Sequence, residues 1–307
     1  MARTMKKPAA KPAAKKPAKA AAIPFDRAAE DVGNIVSLEH VNVRVPDQPV
    51  ATAFYIAALG LTRDPYMMTE IDNMWVNVGR SQFHLPTRGT DVLRGHTGLV
   101  IDHYDSLAAR LKRGHPLLAG TRFAWKQRND RIDATCPWGN RLRLYPPDGR
   151  FGPMTLGMPY VCFDVPKGAA DPIGRFYAEI IGAPATLDRF DDAPAAFVCA
   201  GPEQQLVFRE TKGALPPFDG HHIQVYIADF SGPHRRLAER GLITEESDAH
   251  QYRFQTIIDP ATGAPVYELE HEVRSLRHPL RDRPLVNRNP AQRIMGYRPG
   301  HDAVIVG

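Results

Sequence analysis

The sequence predicts an α+β fold built from four repeats of one β-α-β-β-β unit, paired two by two so that each pair curls a mixed sheet around a cup. Three observations carry this. The stretch 37–47 alternates like a strand and is followed at once by a helical segment at 53–59. The same strand-then-helix opening recurs near residues 95, 160 and 222. Landmarks also recur at nearly constant offsets: Phe54 to Phe176 is 122 residues, Gly139 to Gly263 is 124, and His96 to His222 is 126. Repeats of this size cannot each close a core alone, so they are read together.

The first unit opens on Ser37 to Asp47. Period-2 counting puts Leu38, His40, Asn42 and Arg44 on one face and Val41, Val43 and Val45 on the other. The valine face packs on the helix carrying Phe54, Tyr55 and Leu59, which Gly60 stops. His40 therefore points into whatever the sheet encloses. Strands at 74–78 and 82–85 complete the unit. The second unit opens at Gly95-His96, has a helix over 106–113 ended by Gly114, and closes with the strand 141–145 after the turn Trp138-Gly139-Asn140. The third opens on 160–166, with Phe176-Tyr177 and Gly182 spaced as Phe54-Tyr55 and Gly60 are. The fourth opens on 222–227 and closes with 266–270, after Asp259-Pro260-Ala261-Thr262-Gly263.

The boundaries that follow are a tail at 1–33, a first domain at 34–150 holding units one and two, a second at 151–275 holding units three and four, and a C-terminal arm at 276–307. The net charge of +5 belongs to the tail. Residues 1–22 hold seven Lys and Arg and no acid, interrupted by prolines at 8, 12 and 17, so the remainder is slightly acidic. Such a segment has no apolar face to bury and is expected to be disordered. Its simplest role is a solubilising tail; a weak electrostatic contact with nucleic acid is the alternative. No apolar run reaches the roughly 20 residues that span a bilayer, and no membrane is expected. Three scattered cysteines, Cys136, Cys162 and Cys199, make neither a disulfide framework nor a zinc pattern, which points to a reducing cytoplasm.

The run His-Val-Asn-Val-x-Val-Pro-Asp at 40–47, followed by Phe-Tyr-x4-Gly-Leu at 54–61, resembles the vicinal oxygen chelate superfamily. That superfamily includes glyoxalase I, fosfomycin- and bleomycin-resistance proteins and extradiol dioxygenases. Trp138-Gly139-Asn140 and Asp259-Pro260-x-x-Gly263 are similar to its final-strand signature, and the resemblance covers about 36–275. It implies two glyoxalase-like domains, with the four-unit layout closer to the extradiol dioxygenases. It also implies metal ligands on the first and last strands of each unit. Carried over, the first domain offers His40, His84 and His96, with Arg143 where a Glu is usual. The second offers Tyr160, Val207, His222 and Glu268.

A divalent ion (Fe, Mn, Zn or Ni) would use such ligands to polarise a small substrate with adjacent oxygens. The chemistry expected is dioxygenase-like or glyoxalase-like. Arg143 cannot be a ligand, but at the rim it could hold a substrate carboxylate or phosphate. Tyr160 could ligate, act in acid–base catalysis, or occlude the cup. Glu268, Glu270 and Glu272 share one strand face and need a cation, an arginine or water. Incomplete ligand sets in both halves favour a second reading, a metal-free small-molecule binding protein of the bleomycin-resistance type. The cups could form within one chain or by exchange between two copies in a homo-oligomer.

Overall fold

The computed structural model describes residues 25–65, 67 and 72–287. The basic segment 1–24 and the end of the arm, 288–307, lie outside the described residues. Within 25–31 the chain makes one 3-10 turn, Ala28–Glu30. The described residues from Val32 onward form one compact unit.

The first module runs β1 (Ile35–Asn42), α1 (Gln48–Ala51), β2 (Thr62–Arg63), β3 (Asn73–Val78) and β4 (Ser81–Pro86). The second runs β5 (Gly95–Val100), α2 (Tyr104–Arg113), β6 (Ala124–Gln127), β7 (Ile132–Thr135) and β8 (Arg141–Tyr145). The third runs β9 (Gly157–Pro166), α3 (Ala170–Phe176), β10 (Ala185–Phe190), β11 (Ala193–Cys199) and β12 (Gln205–Thr211). The fourth runs β13 (His222–Ile227), α4 (Ser231–Ala238), β14 (Ile243–Asp248), β15 (Gln251–Ile258) and β16 (Pro265–Ser275). All four are thus β-α-β-β-β units in an α+β fold. No helix among the described residues is long and apolar enough to cross a membrane.

The opening helix forms for local reasons. Asp47 Oδ1 accepts from Val50 N (2.8 Å), satisfying a free N–H of the first turn, and Pro49 sits where its missing N–H costs nothing. The helix widens into a π-helical stretch over Thr52–Ala58, and α3 does the same over Tyr177–Ile181. The wider turn lets adjacent aromatics, Phe54-Tyr55 and Phe176-Tyr177, all be fully buried. Gly60 (φ 80°) and Gly182 (φ 83°) then end these stretches in the left-handed region.

The sheets are paired differently from the expected domains. One sheet has the order β14-β15-β16-β13-β1-β4-β3-β2, joining modules one and four; the other, β10-β11-β12-β9-β5-β8-β7-β6, joins modules two and three. The expectation that 34–150 and 151–275 each close their own sheet is corrected by this strand order. The central pairs, β1 with β13 and β5 with β9, are both antiparallel and both cross the boundary near residue 150. Helices join the modules that share no sheet: Arg110 donates to Leu59 O (3.0 Å), and Arg236 Nε to Ile180 O (2.7 Å). Gln204, buried, accepts from Leu38 N (3.1 Å) and donates to Met158 O (3.2 Å), tying β1 of one sheet to β9 of the other.

Candidate metal centre

Within the sheet of modules one and four, β1 and β13 run antiparallel with His40 opposite Gln224 and Asn42 opposite His222. That register is symmetric, so His40 and His222 occupy equivalent positions. The outer parallel strands add the next equivalent pair: β4 sets His84 beside Asn42, and β16 sets Glu272 beside Gln224. Three strands therefore aim His40, His84 and His222 at one place, and β16 sets Glu272 beside His222. Ligand atoms of the three histidines all lie within 4.8 Å of one another. The His40 ring centroid is 5.6 Å from His84 and 5.8 Å from His222. Glu272 Oε2 is 3.6 Å from His222 Nε2, and Glu270 Oε2 is 3.8 Å from its Nδ1.

The site disfavours protonated imidazoles. His40 has no exposed surface; burial first, then the guanidinium groups of Arg274, Arg283 and Arg253, push its pKa well below the usual value. Burial and the neighbouring His40 lower His84 to about 2, and the same two causes push His222 well down. A β-bulge between Leu38 and His40 sets Glu39 beside His40. The bulge also resets the alternation, so Leu38 joins the core with Val41 instead of sharing the His40 face. Glu39 Oε2 accepts from His40 Nδ1–H (2.9 Å). That bond assigns the tautomer and leaves the lone pair on Nε2, a buried atom with no hydrogen-bond partner. His222 Nε2 has none either, nor has the amide of Gln224 between them. Buried polar atoms left this way are uncommon and call for an occupant.

The other two members have partners already. His84 Nδ1 accepts from Asn42 Nδ2 (2.6 Å), its Nε2–H donates to Asn73 Oδ1 (2.5 Å), and its ring stacks on Trp75 at 3.8 Å. Glu272 takes Arg253 and Arg274, both at 2.5 Å, while Arg253 also reaches Glu270 (2.8 Å). Burial raises the Glu272 pKa against the pull of those two arginines.

The sheet of modules two and three carries the same four positions with different residues. There β9 sets Tyr160 opposite Gly98 and Cys162 opposite His96, while Val207 lies beside Cys162 and Arg143 beside Gly98. The set is Tyr160, Val207, His96 and Arg143. The ring of Tyr160 fills the space a side chain at Gly98 would need, 2.3 Å from where its Cβ would be. Its hydroxyl bonds Tyr145 (2.8 Å), and burial raises its pKa far above the ordinary range. Arg143 is paired with Asp191 (2.6 Å), which also holds Arg209 (2.6 Å). His96 packs on Phe190, and burial lowers its pKa to about 2.

Three expectations change accordingly. His96 does not join His40 and His84; His222 does. Tyr160 and Arg143, read as catalytic, stand in the other cup, apart from the three histidines. The carboxylates beside His222 are Glu272 and Glu270, not Glu268, which is exposed and accepts from Gln255 (3.3 Å). Glu39, Asn42, Asn73 and Gln224 were not singled out, because nothing in their local pattern marks them. The triple Glu268-Glu270-Glu272 was a legible signal, but choosing among its members needs the register of β13 on β16.

No family model and no curated protein matches the sequence. Solved structures do match. Glyoxalase I from Zea mays aligns at 15% identity over 78% of this chain and 92% of that one, with a TM-score of 0.55. A proposed dioxygenase from Bacillus subtilis aligns at 14% identity over 79% and 86%, with a TM-score of 0.53. Two mixed sheets of paired β-α-β-β-β modules, each placing equivalent first- and last-strand residues in a cup, give this chain a glyoxalase-like fold.

Proposed function

We propose that the cup of modules one and four holds one divalent ion through His40, His84 and His222 with Glu272 as the carboxylate, and that the chain is a metal-dependent enzyme. Its substrate would be small and would chelate through two adjacent oxygens, in glyoxalase-like or dioxygenase-like chemistry. The observation that carries the reading is the pair of buried imidazole nitrogens, His40 Nε2 and His222 Nε2, without hydrogen-bond partners, in a cluster where His40, His84 and His222 bring ring nitrogens within 4.8 Å of one another. Three neutral nitrogens and one carboxylate suit Fe, Mn, Zn or Ni. A bound ion would polarise chelated oxygens as a Lewis acid. The chain's own part is to keep the imidazoles unprotonated, to fix the His40 tautomer through Glu39, and to offer the free Gln224 amide inside the cup.

One observation favours the metal-free alternative. Both ring nitrogens of His84 and both oxygens of Glu272 are engaged by protein groups. On that reading the cup binds a small polar molecule directly, as a sequestering protein does. Metal uptake requires Asn42 or Asn73 to release His84, and Glu272 to loosen from Arg253.

Elemental analysis of protein grown with trace metals decides between them. About one ion per chain is expected, lost in His84→Ala and in His222→Ala and kept in His96→Ala. A wild-type chain without stoichiometric metal would leave the binding-protein reading, and loss in His96→Ala would place the ion in the other cup.

A further inference from the structure

The four modules end at Ser275, yet the chain continues, and one residue of this arm reaches Glu39, the carboxylate that bonds His40. Resting on the metal reading above, we propose that Arg283 is a positioning residue of the centre, acting on His40 through Glu39. The Arg283 side chain is 9% exposed. Its NH1 donates to Glu39 Oε1 (2.8 Å) and to Leu280 O (3.0 Å). Its NH2 donates to Gln82 Oε1, and its Nε lies 3.6 Å from Asp64 Oδ2. The guanidinium also sits 5.7 Å from the ring centre of Trp75, the indole that stacks on His84.

The consequence runs through Glu39. One of its oxygens is fixed by Arg283; the other takes the His40 Nδ1 proton and a longer contact from Arg274 (3.3 Å). The orientation of the His40 lone pair is therefore set from the arm. The arm is itself pinned: Val286 O accepts from Thr62 Oγ1 (3.1 Å) and Asn77 Nδ2 (2.8 Å). The Asn287 side chain pairs with both backbone groups of Gly79 (3.0 and 3.2 Å). Glu39, Tyr226 and Arg283 also form part of the wall of a cavity of about 760 Å³. The Arg283–Glu39 pair thus borders both this cavity and the histidines. Carboxylates that orient a ligating imidazole typically cost roughly 10–100-fold in metal affinity when removed.

Cobalt(II) titration of full-length protein against a competing chelator tests this, with the visible d–d bands as a second readout. Arg283→Met is expected to weaken cobalt binding by roughly 10-fold or more and to shift the bands, as is Glu39→Gln. Arg283→Lys, which keeps one charged donor, should fall between Arg283→Met and wild type. Arg281→Met, an arm residue paired with its neighbour Asp282, should match wild type. The double variant Glu39→Gln/Arg283→Met should bind little worse than Glu39→Gln alone, because both act through one chain of contacts. Unchanged affinity and bands in Arg283→Met, or an equal further loss in the Glu39→Gln background, would overturn the proposal while leaving the metal reading intact. A wild-type chain that takes up no cobalt would overturn both.

Discussion

His96 shows what burying a neutral imidazole does to stability. Burial, then Arg143 and Arg209, lowers its pKa to about 2 in the folded chain, against about 6.5 when unfolded. Between those values the unfolded state binds a proton that the native state refuses, so stability rises with pH across the window and levels off above about 6.5. The native advantage is whole at neutral pH and is lost as the solution is acidified. In metal-free protein, urea unfolding of His96→Gln should show a pH slope smaller by up to about 1.4 kcal/mol per unit between pH 3.5 and 5.5. An unchanged slope would mean that His96 is protonated in the native state. The positions of His40, His84 and His222 were legible because inward facing is a property of a single strand. Their grouping was not, because His222 enters through a strand pairing across some 180 residues that no local pattern encodes. Glu272 was hidden for the same reason: Glu268, Glu270 and Glu272 share a face, and only long-range register selects one.

At the scale of the element, the helices that follow β1 and β9 were read correctly from Phe-Tyr and the glycine six positions after the Phe. The π-helical widening was not, since it depends on fitting aromatics against the sheet. The bulge at Glu39 was equally invisible, and it broke the alternation that had set Leu38 beside His40. Two glycines of the third module separate intrinsic cost from conformational need. Gly174 lies inside α3, and an added Cβ would meet Ala196, Ala185 and Leu187 at 3.6–3.7 Å, which is ordinary contact. Gly174→Ala should therefore stabilise by roughly 0.5–1 kcal/mol, since glycine costs that much in a helix interior. Gly182 sits at φ 83°, with Asn34 Cβ 3.3 Å from the added carbon. Gly182→Ala should destabilise by about 1–2 kcal/mol. Opposite signs in chemical denaturation check the pair; a destabilising Gly174→Ala would show that α3 is packed more tightly than these distances allow.

For the whole molecule, the pairing of module one with four and two with three decides which side chains share a cup. Under consecutive pairing each ligand set is mixed: His40, His84 and His96 with Arg143, then Tyr160, Val207 and His222 with a glutamate. The actual pairing sorts them into one set of three histidines and a carboxylate and another of Tyr160, Val207, His96 and Arg143. The same four positions thus hold ligand-capable residues on one side and a filled, arginine-lined cup on the other. It follows that a cut in the loop after β8 divides the centre. Residues 32–150 would keep His40 and His84 while exposing β1 and β5 as unpaired edges; residues 151–307 would keep His222 and Glu272 with β9 and β13 exposed. Unpaired central strands of that length are templates for aggregation, so neither fragment should be a well-behaved monomer alone. Co-expressed, the fragments should reassociate through β1–β13 and β5–β9 and recover metal uptake. Copurification with restored metal content is the expected result. A soluble, monomeric 32–150 fragment that holds metal unaided would mean that the first two modules close their own cup, and the sorting of ligands across the boundary would fall with it.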